Sequence, residues 1–338
     1  EIGGGAGLSF VSIRGGDPNS VTIIIDGVKV NDPTNSRGGA FDLATIDPAM
    51  VEKVEILFGS YASTYGSDSL SGVIVVTTRQ FKEINSTRIS TTFGSQSTHS
   101  SSLQSSTQIE NVANLSVLAT YQDNDSSYFG DAFYRKSILS SAQSIQTSNI
   151  KWRLGSLYSS GKGAIFPQDS GGERLAEIRT PEEREYEQMN YSISAAHQLM
   201  NSFKINFDSY ITERTEFSNS PGITEGVLQG VPAIISDTSY DRAESTISVQ
   251  YLINEQLTAI GGVTHSEETG SMSSLIDFGF ILPSDYKLTR KTDSFFAEFG
   301  IDLMSSLKLN IGVRQDDNDN NLANSMRFTS RYKMKSNH

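Results

Sequence analysis

The feature that most constrains this chain is a long series of segments in which apolar and polar residues alternate. In one of them Phe203, Phe207 and Ile211 fall on one face, and Lys204 and Asp208 fall on the other. A repeat of two residues is that of a β-strand, because successive side chains point to opposite faces. About twelve such segments follow residue 79, each near the 9 to 11 residues with which a tilted strand crosses a bilayer. They cover roughly 87–95, 99–108, 112–122, 136–146, 150–159, 186–197, 203–211, 240–253, 257–267, 295–303, 307–314 and 324–335.

The composition removes several other classes of protein. No stretch approaches the roughly 20 apolar residues of a membrane-spanning helix, which argues against a helical membrane protein. The chain has no Cys, so disulfide bonds, thiolate metal sites and a Cys nucleophile are excluded. Its net charge of -12 offers no basic surface to a nucleic acid, and no such partner is expected. A membrane β-barrel remains possible at a mean hydropathy of -0.31, since only one face of each strand is apolar.

The connections between the alternating segments differ in length. Short turns are expected near 111, 147–149, 198–201, 254–256 and 304–306, and long polar loops near 123–135, 160–185, 215–239 and 268–290. Short turns at one rim and long loops at the other are typical of an outer-membrane barrel, whose outer loops carry recognition. The alternative is a soluble β-sandwich or propeller, in which the charged strand faces would meet solvent instead of a lumen.

The first 80 residues have another pattern and predict a compact α+β unit. The run Val21–Ile25, followed by Asp26 and Gly27, predicts a strand that turns into a β-hairpin. Asp47 before Pro48 predicts the start of a short helix over 49–53. Further strands are expected over Val54–Leu57 and Val73–Thr78.

Five blocks in this region carry a family resemblance. They are Ser12–Gly16, Ile25–Val28, Ile46–Ile56, Tyr65–Asp68 and Gly72–Ile74. In order and spacing they resemble the plug domain of TonB-dependent outer-membrane receptors. Within that family the pattern is most similar to cobalamin receptors.

The resemblance implies a fold class and a domain division. It implies a plug at residues 1–80 inside an antiparallel membrane β-barrel formed by residues 81–338, in a size class of about 22 strands. With about twelve strands and no energy-coupling box, the sequence reads as a part of such a receptor, truncated at both ends. Location in the outer membrane of a Gram-negative bacterium, among outer-membrane lipid, is implied as well.

The implied function is energy-coupled uptake of a scarce metal chelate, driven by a TonB-type protein of the inner membrane. Cobalamin is the first expectation for this small ligand, and a ferric siderophore is the alternative. A surface barrel that binds a partner without transport is a further alternative. No cofactor is implied.

Three plug residues are candidates for a charged lock against the barrel wall. They are Arg14, in the Ser12–Gly16 block, with Glu52 and Glu55. The family usually has Arg-Gly-Pro where this chain has 58–60 as Phe-Gly-Ser, so the lock would lack that arginine. The alternative for Arg14 is a solvated surface side chain.

Ligand contact is predicted at the outer end of the plug. The loop after the hairpin is rich in small hydrogen-bonding side chains, and two neighbouring segments complete the surface. The candidates are Leu8, Ser9, Asn31, Asp32, Thr34, Asn35, Ser36, Arg37, Tyr61 and Tyr65. A plain surface turn would have the same composition, so both interpretations stay open.

Neither a metal site nor catalysis is predicted. The acidic runs 123–125 and 316–319 lack the Gly and Glu positions of an EF-hand loop. The sequence at 66–70 is close to a Gly-Asp-Ser-Leu esterase block, but none of the four His residues lies beside an Asp in a loop, where a general base for this Ser would be expected. The glycines at 3–7 follow no strand, which argues against a phosphate loop.

Overall fold

A computed structural model provides the architecture of the chain. It describes residues 9–32, 39–59, 61, 65–66, 69–79, 85–95, 97–124, 132–145, 150–165, 178, 180–226, 229–304, 306–319 and 321–332. Within these ranges no helix has the length and apolar character needed to cross a membrane.

The first sheet has four strands and forms the domain that we call the plug. Its order is β2-β1-β4-β3, with β1 parallel to β4 and the other neighbours antiparallel. The predicted hairpin is confirmed, because Asp26 and Gly27 join β1 and β2 with φ of 49° and 89°, the left-handed geometry of a tight hairpin turn. The strands are β1 Val21–Ile25, β2 Val28–Lys29, β3 Val51–Phe58 and β4 Gly72–Thr78.

Every residue of β1 is buried, which explains its unbroken apolar run. On either side of it, β2 and β4 complete its hydrogen bonds. Val21 and Ile23 are only 1% exposed and belong to the main hydrophobic cluster, which also includes Tyr210 of the second sheet. A strand buried on both faces needs apolar side chains on both.

Three short 3-10 helices connect the plug strands, each capped by an Asp. They span Pro18–Ser20, Leu43–Thr45 and Pro48–Met50. The predicted helix over 49–53 is therefore wrong, because only its first residues are helical and β3 already begins at Val51. Pairing of Val51 with Thr78 of β4 supplies the physical reason, since a tertiary strand contact outweighs weak local helix propensity.

The second sheet has twelve strands and forms what we call the wall. Each strand pairs antiparallel with its neighbours in sequence, from β5 to β16. Each of the twelve segments predicted from alternation coincides for most of its length with one of these strands. The strands are β5 Ser86–Phe93, β6 Thr98–Ile109, β7 Ala113–Asn124, β8 Phe133–Ser144, β9 Ile150–Ile165, β10 Glu182–Met200, β11 Phe203–Ser220, β12 Ala233–Asn254, β13 Leu257–Asp277, β14 Ile281–Met304, β15 Leu307–Asn318 and β16 Asn321–Tyr332.

Two of the predicted long loops, 215–239 and 268–290, are largely strand. Strands β11 and β12 extend to Ser220 and from Ala233, and β13 and β14 are separated by only 278–280. The prediction failed there because polar residues on the outward face interrupt the alternation of apolar and polar side chains, although the backbone pairing continues.

The two faces of the wall differ in chemistry. The outward face carries exposed apolar side chains in register across strands, such as Phe207 opposite Ile247 and Val263 opposite Phe295. The inward face carries polar groups and contacts the plug from β8 to β16, so the wall curves around the plug. Apolar outside and polar inside is the arrangement of a transmembrane barrel.

Candidate functional site at the interface of plug and wall

Two acidic residues of the plug meet arginines of the wall. Asp26 Oδ2 lies 3.3 Å from a terminal nitrogen of Arg153, and Asp42 Oδ2 lies 3.1 Å from one of Arg184. The second pair is deeply buried, with 5% and 6% of the side chains of Asp42 and Arg184 exposed. Hydrogen bonds between charged groups are stronger than neutral ones, and they fix the plug against the wall at two levels.

The buried Arg184 also belongs to a chain of charges within the wall. It pairs with Glu216 at 2.9 Å, and Glu216 accepts a second bond from Arg214, also at 2.9 Å. The guanidinium carbon of Arg214 lies 5.9 Å from the ring centre of Phe41 in the plug. The charge of Arg184 is thus shared between a carboxylate of each domain, as a buried charge requires.

Backbone carbonyls of the plug are the third point of attachment. Arg135 donates to the carbonyls of Ala44 and Ile46, the latter at 3.1 Å. Ser159 Oγ donates to the carbonyl of Thr45 at 3.0 Å. These carbonyls lie at the end of the 3-10 helix Leu43–Thr45, so the wall satisfies acceptors that the short helix leaves open.

The predicted lock residues lie elsewhere in the plug. Arg14 has φ of 53°, and its guanidinium carbon is 5.0 Å from the ring centre of Phe58. Glu55 forms an exposed ion pair with Lys53 at 2.8 Å, and Glu52 is exposed on the same strand. The described contacts of Arg14 and Glu55 are thus within the plug, and a lock formed by these three residues stays a prediction.

Sequence reasoning missed Asp26 and Asp42, which do contact the wall. The sequence pattern predicts for Asp26 only a place in the hairpin turn, where its Oδ1 also accepts a hydrogen bond from the Thr78 amide at 2.9 Å. Asp42 caps the helix Leu43–Thr45 by accepting from the Ala44 amide at 3.0 Å. A capping Asp is a recognisable signal, but its arginine partner is 142 residues away in sequence.

Two of the predicted ligand-contact residues form hydrogen bonds within the plug. Ser9 donates its amide to Asp42 Oδ1 at 2.9 Å. Asn31, 5% exposed, accepts from the Ile23 amide at 2.6 Å and donates to the carbonyls of Val21 and Gly39. Asn31 therefore holds the base of its loop. Leu8, Thr34, Asn35, Ser36 and Arg37 lie outside the described residues.

The remaining three candidates lie near wall strands. Arg327 of β16 stacks on Tyr61, with its guanidinium carbon 3.8 Å from the ring centre, a distance suited to a cation–π contact. Burial raises the pKa of the Tyr65 hydroxyl, and Tyr61 adds to this shift. Asp32 has an electrostatic interaction with Tyr286 of β14. Their contact with a ligand stays a prediction.

The acidic runs considered for metal binding have other partners. Asp123 pairs with His99 at 3.2 Å, and Asp316 accepts from Ser294 and Arg314. In the described part of the chain no three His, Asp or Glu side chains form a group that could hold a metal ion.

Comparison with known proteins identifies the family. Residues 1–73 match the model of the TonB-dependent receptor plug domain. Residues 1–73 are therefore a TonB-dependent receptor plug domain, and the chain as a whole is similar to TonB-dependent receptors. This family consists of receptors and transporters and lies in the outer membrane of Gram-negative bacteria. The plug and wall described above are thus the plug domain and part of the membrane β-barrel of such a receptor.

Solved structures of this family share the fold at low sequence identity. The ferric yersiniabactin uptake receptor of Yersinia pestis matches 97% of this chain and 56% of its own, with TM-score 0.74 and 15% identity. The FrpB iron transporter of Neisseria meningitidis matches 97% and 56%, with TM-score 0.72 and 16% identity. The siderophore receptor PiuA of Acinetobacter baumannii matches 97% and 57%, with TM-score 0.70 and 14% identity. The chain thus spans little more than half the length of these TonB-dependent receptors.

Proposed function

We propose that this TonB-dependent receptor takes up a scarce metal chelate across the outer membrane, with energy from a TonB-type protein of the inner membrane. The observation that carries the proposal is a plug held inside the wall by a few buried polar contacts, above all Asp42 with Arg184. Such contacts are strong enough to close a lumen and few enough to be broken together when the plug is pulled.

The proposed ligand is a metal chelate, either cobalamin or a ferric siderophore. The three solved relatives named above are, by their names, receptors or transporters of iron and of siderophores, and none of the three is named for cobalamin. Cobalamin, the first expectation from sequence, therefore has no specific support, and a ferric siderophore is an equal alternative.

The residues that we propose for these roles follow the earlier expectations. Asp32, Tyr61 and Tyr65 are proposed ligand contacts, together with the loop after Asn31. We further propose a division between plug and barrel near residue 80, which is supported by two separate sheets ending at Thr78 and beginning at Ser86.

Binding by the purified full-length receptor tests the proposal. Cobalamin and a panel of ferric siderophores are titrated side by side, with the iron-free siderophores as controls. Saturable binding of one metal-loaded class is expected, with little binding of its metal-free form. Absence of saturable binding by both classes would discard both ligands.

A further inference from the structure

A cavity of about 290 Å³ lies between the plug and the wall, away from the contact of Asp42 with Arg184. On the plug side it is lined by β1, β2 and β4, and on the wall side by strands from β11 to β16. Its volume is below the roughly 300 to 1,000 Å³ of pockets for drug-sized ligands. It can therefore hold a small molecule or one arm of a larger ligand.

The cavity has the opposite charge to the chain. Its basic lining residues are Lys29, Arg242, Arg290 and Arg314, and its acidic ones are Glu244 and Asp316. Glu268, which is not itself a lining residue, pairs with Arg242 and Arg290. With this third carboxylate included, the four basic groups leave one positive charge in excess. The whole chain has a net charge of -12. A cationic concavity inside an acidic protein attracts small anions.

Arg242 supplies the second observation. Its side chain is 7% exposed, and its terminal nitrogens donate to Glu244 and Glu268. Its Nε is buried and has no hydrogen-bond partner among the described residues. An unsatisfied buried donor is costly, so a small rotation of this guanidinium group towards an acceptor in the cavity would be favourable.

One further guanidinium group and several hydroxyl groups complete the lining on the wall side. Arg314 donates to Asp316 at 2.7 Å and to Ser294 Oγ at 2.8 Å, which holds its guanidinium at the cavity. The hydroxyl groups on the lining belong to Thr246, Thr264, Ser266, Thr292 and Ser294. Guanidinium groups and hydroxyls together suit a planar carboxylate with two acceptor oxygens.

We propose that this cavity is a binding site for a carboxylate. The carboxylate is that of a free organic acid, or that of a metal chelate on its way past the plug. Only the second source rests on the proposed transport function. In both cases Arg242 and Arg314 of the wall hold the anion against Lys29 of the plug.

Calorimetric titration of the purified full-length protein with malonate tests the site, and malonamide provides a neutral probe of the same shape. Malonate binds saturably and malonamide does not. Arg314→Gln weakens malonate binding at least about tenfold, because a charge-assisted bond is lost. Arg331→Gln is the matched control, since Arg331 is on the same face of the wall, opposite Lys308, but outside the cavity lining. It leaves malonate affinity unchanged.

A second, milder variant tests the site if Arg314→Gln does not fold. Thr292→Val keeps the shape and every charge, and weakens malonate about two- to tenfold by removing one hydroxyl. No malonate binding, equal binding of malonamide, or equal losses in Arg331→Gln and Arg314→Gln would overturn the proposal. Competition between malonate and a carboxylate-bearing ferric chelate identifies the chelate as source, and its absence identifies a free acid. If malonate binds but no chelate does, the transport proposal fails and the site stands.

Discussion

Replacing Asp42 by Asn tests the buried contact between plug and wall with the least change of shape. Asp42 Oδ1 accepts from the amides of Ser9 and Ala44, and Oδ2 accepts from Arg184. The amide oxygen of Asn can keep the two backbone bonds. Its amino group is a donor and faces another donor, the Arg184 guanidinium. The variant therefore removes mainly the charge-assisted bond.

The free-energy cost of Asp42→Asn depends on the partners that Arg184 keeps. Glu216 remains 2.9 Å from its guanidinium, so the arginine does not lose its only partner. The cost is then near that of one hydrogen bond to a charged group, about 1.5–3 kcal/mol, and below the roughly 3–5 kcal/mol for stranding a buried charge. Since about 1.4 kcal/mol is a factor of ten, local opening of the plug becomes about 10- to 100-fold more frequent.

Hydrogen exchange measured by mass spectrometry on the full-length protein reports this opening. Amides of β1 and of Leu43–Thr45 are expected to exchange about 10- to 100-fold faster in Asp42→Asn. Asp42→Ala, which also loses the helix cap, adds about 1 kcal/mol. Lys53→Gln, at the exposed pair with Glu55, is the control and changes the free energy by less than about 1 kcal/mol. Equal exchange in Asp42→Asn and Lys53→Gln would refute the reasoning.

Three other predictions address the plug core, its pH dependence and the membrane face. Gly72→Ala would place its Cβ 2.7 Å from the Leu57 carbonyl oxygen and destabilise the plug by about 1–3 kcal/mol, read as a lower denaturant midpoint. Burial raises the pKa of Tyr65, so the folded plug favours the neutral phenol. The free energy of unfolding is therefore constant below pH about 10 and falls as the pH rises through the raised pKa. Tyr65→Phe removes this loss of stability in alkaline denaturation curves. Phe207→Arg, on the outward face, makes the free energy of folding into lipid vesicles less favourable by about 2–4 kcal/mol. Glu213→Arg, six residues closer to the Ser220 end of the same strand, makes it less favourable by under about 1 kcal/mol.

The wall strands could be predicted where lipid faces one side of the sheet. Phe207 and Ile211 are outward, whereas Tyr210 and Thr212 between and beside them are buried on the inward face. Beyond this apolar zone some of the outward groups are polar, as in the hydrogen bond of Ser239 with Ser271 at 2.8 Å. Alternation of hydropathy is then interrupted, and the sequence predicts loops where the strands continue.

The contacts between plug and wall could not be predicted from sequence. The partner of Asp26 is 127 residues away and that of Asp42 is 142 residues away. Pairs of this kind are set by how the wall curves around the plug, and no local propensity encodes that curvature. The resemblance implies a lock at Arg14, whereas the described wall contacts involve Asp26, which the sequence pattern places in a turn, and Asp42, for which it predicts no role.

Uptake by cells that produce the full-length receptor tests the central claim most directly. Accumulation of radiolabelled cobalamin and of labelled ferric siderophores is compared between cells with and without a functional TonB protein, with receptor-free cells as background. We expect receptor-dependent accumulation of one metal chelate that disappears without TonB. Accumulation that is independent of TonB, or binding at the surface with no accumulation of any chelate, would contradict it and favour a barrel that binds without transport.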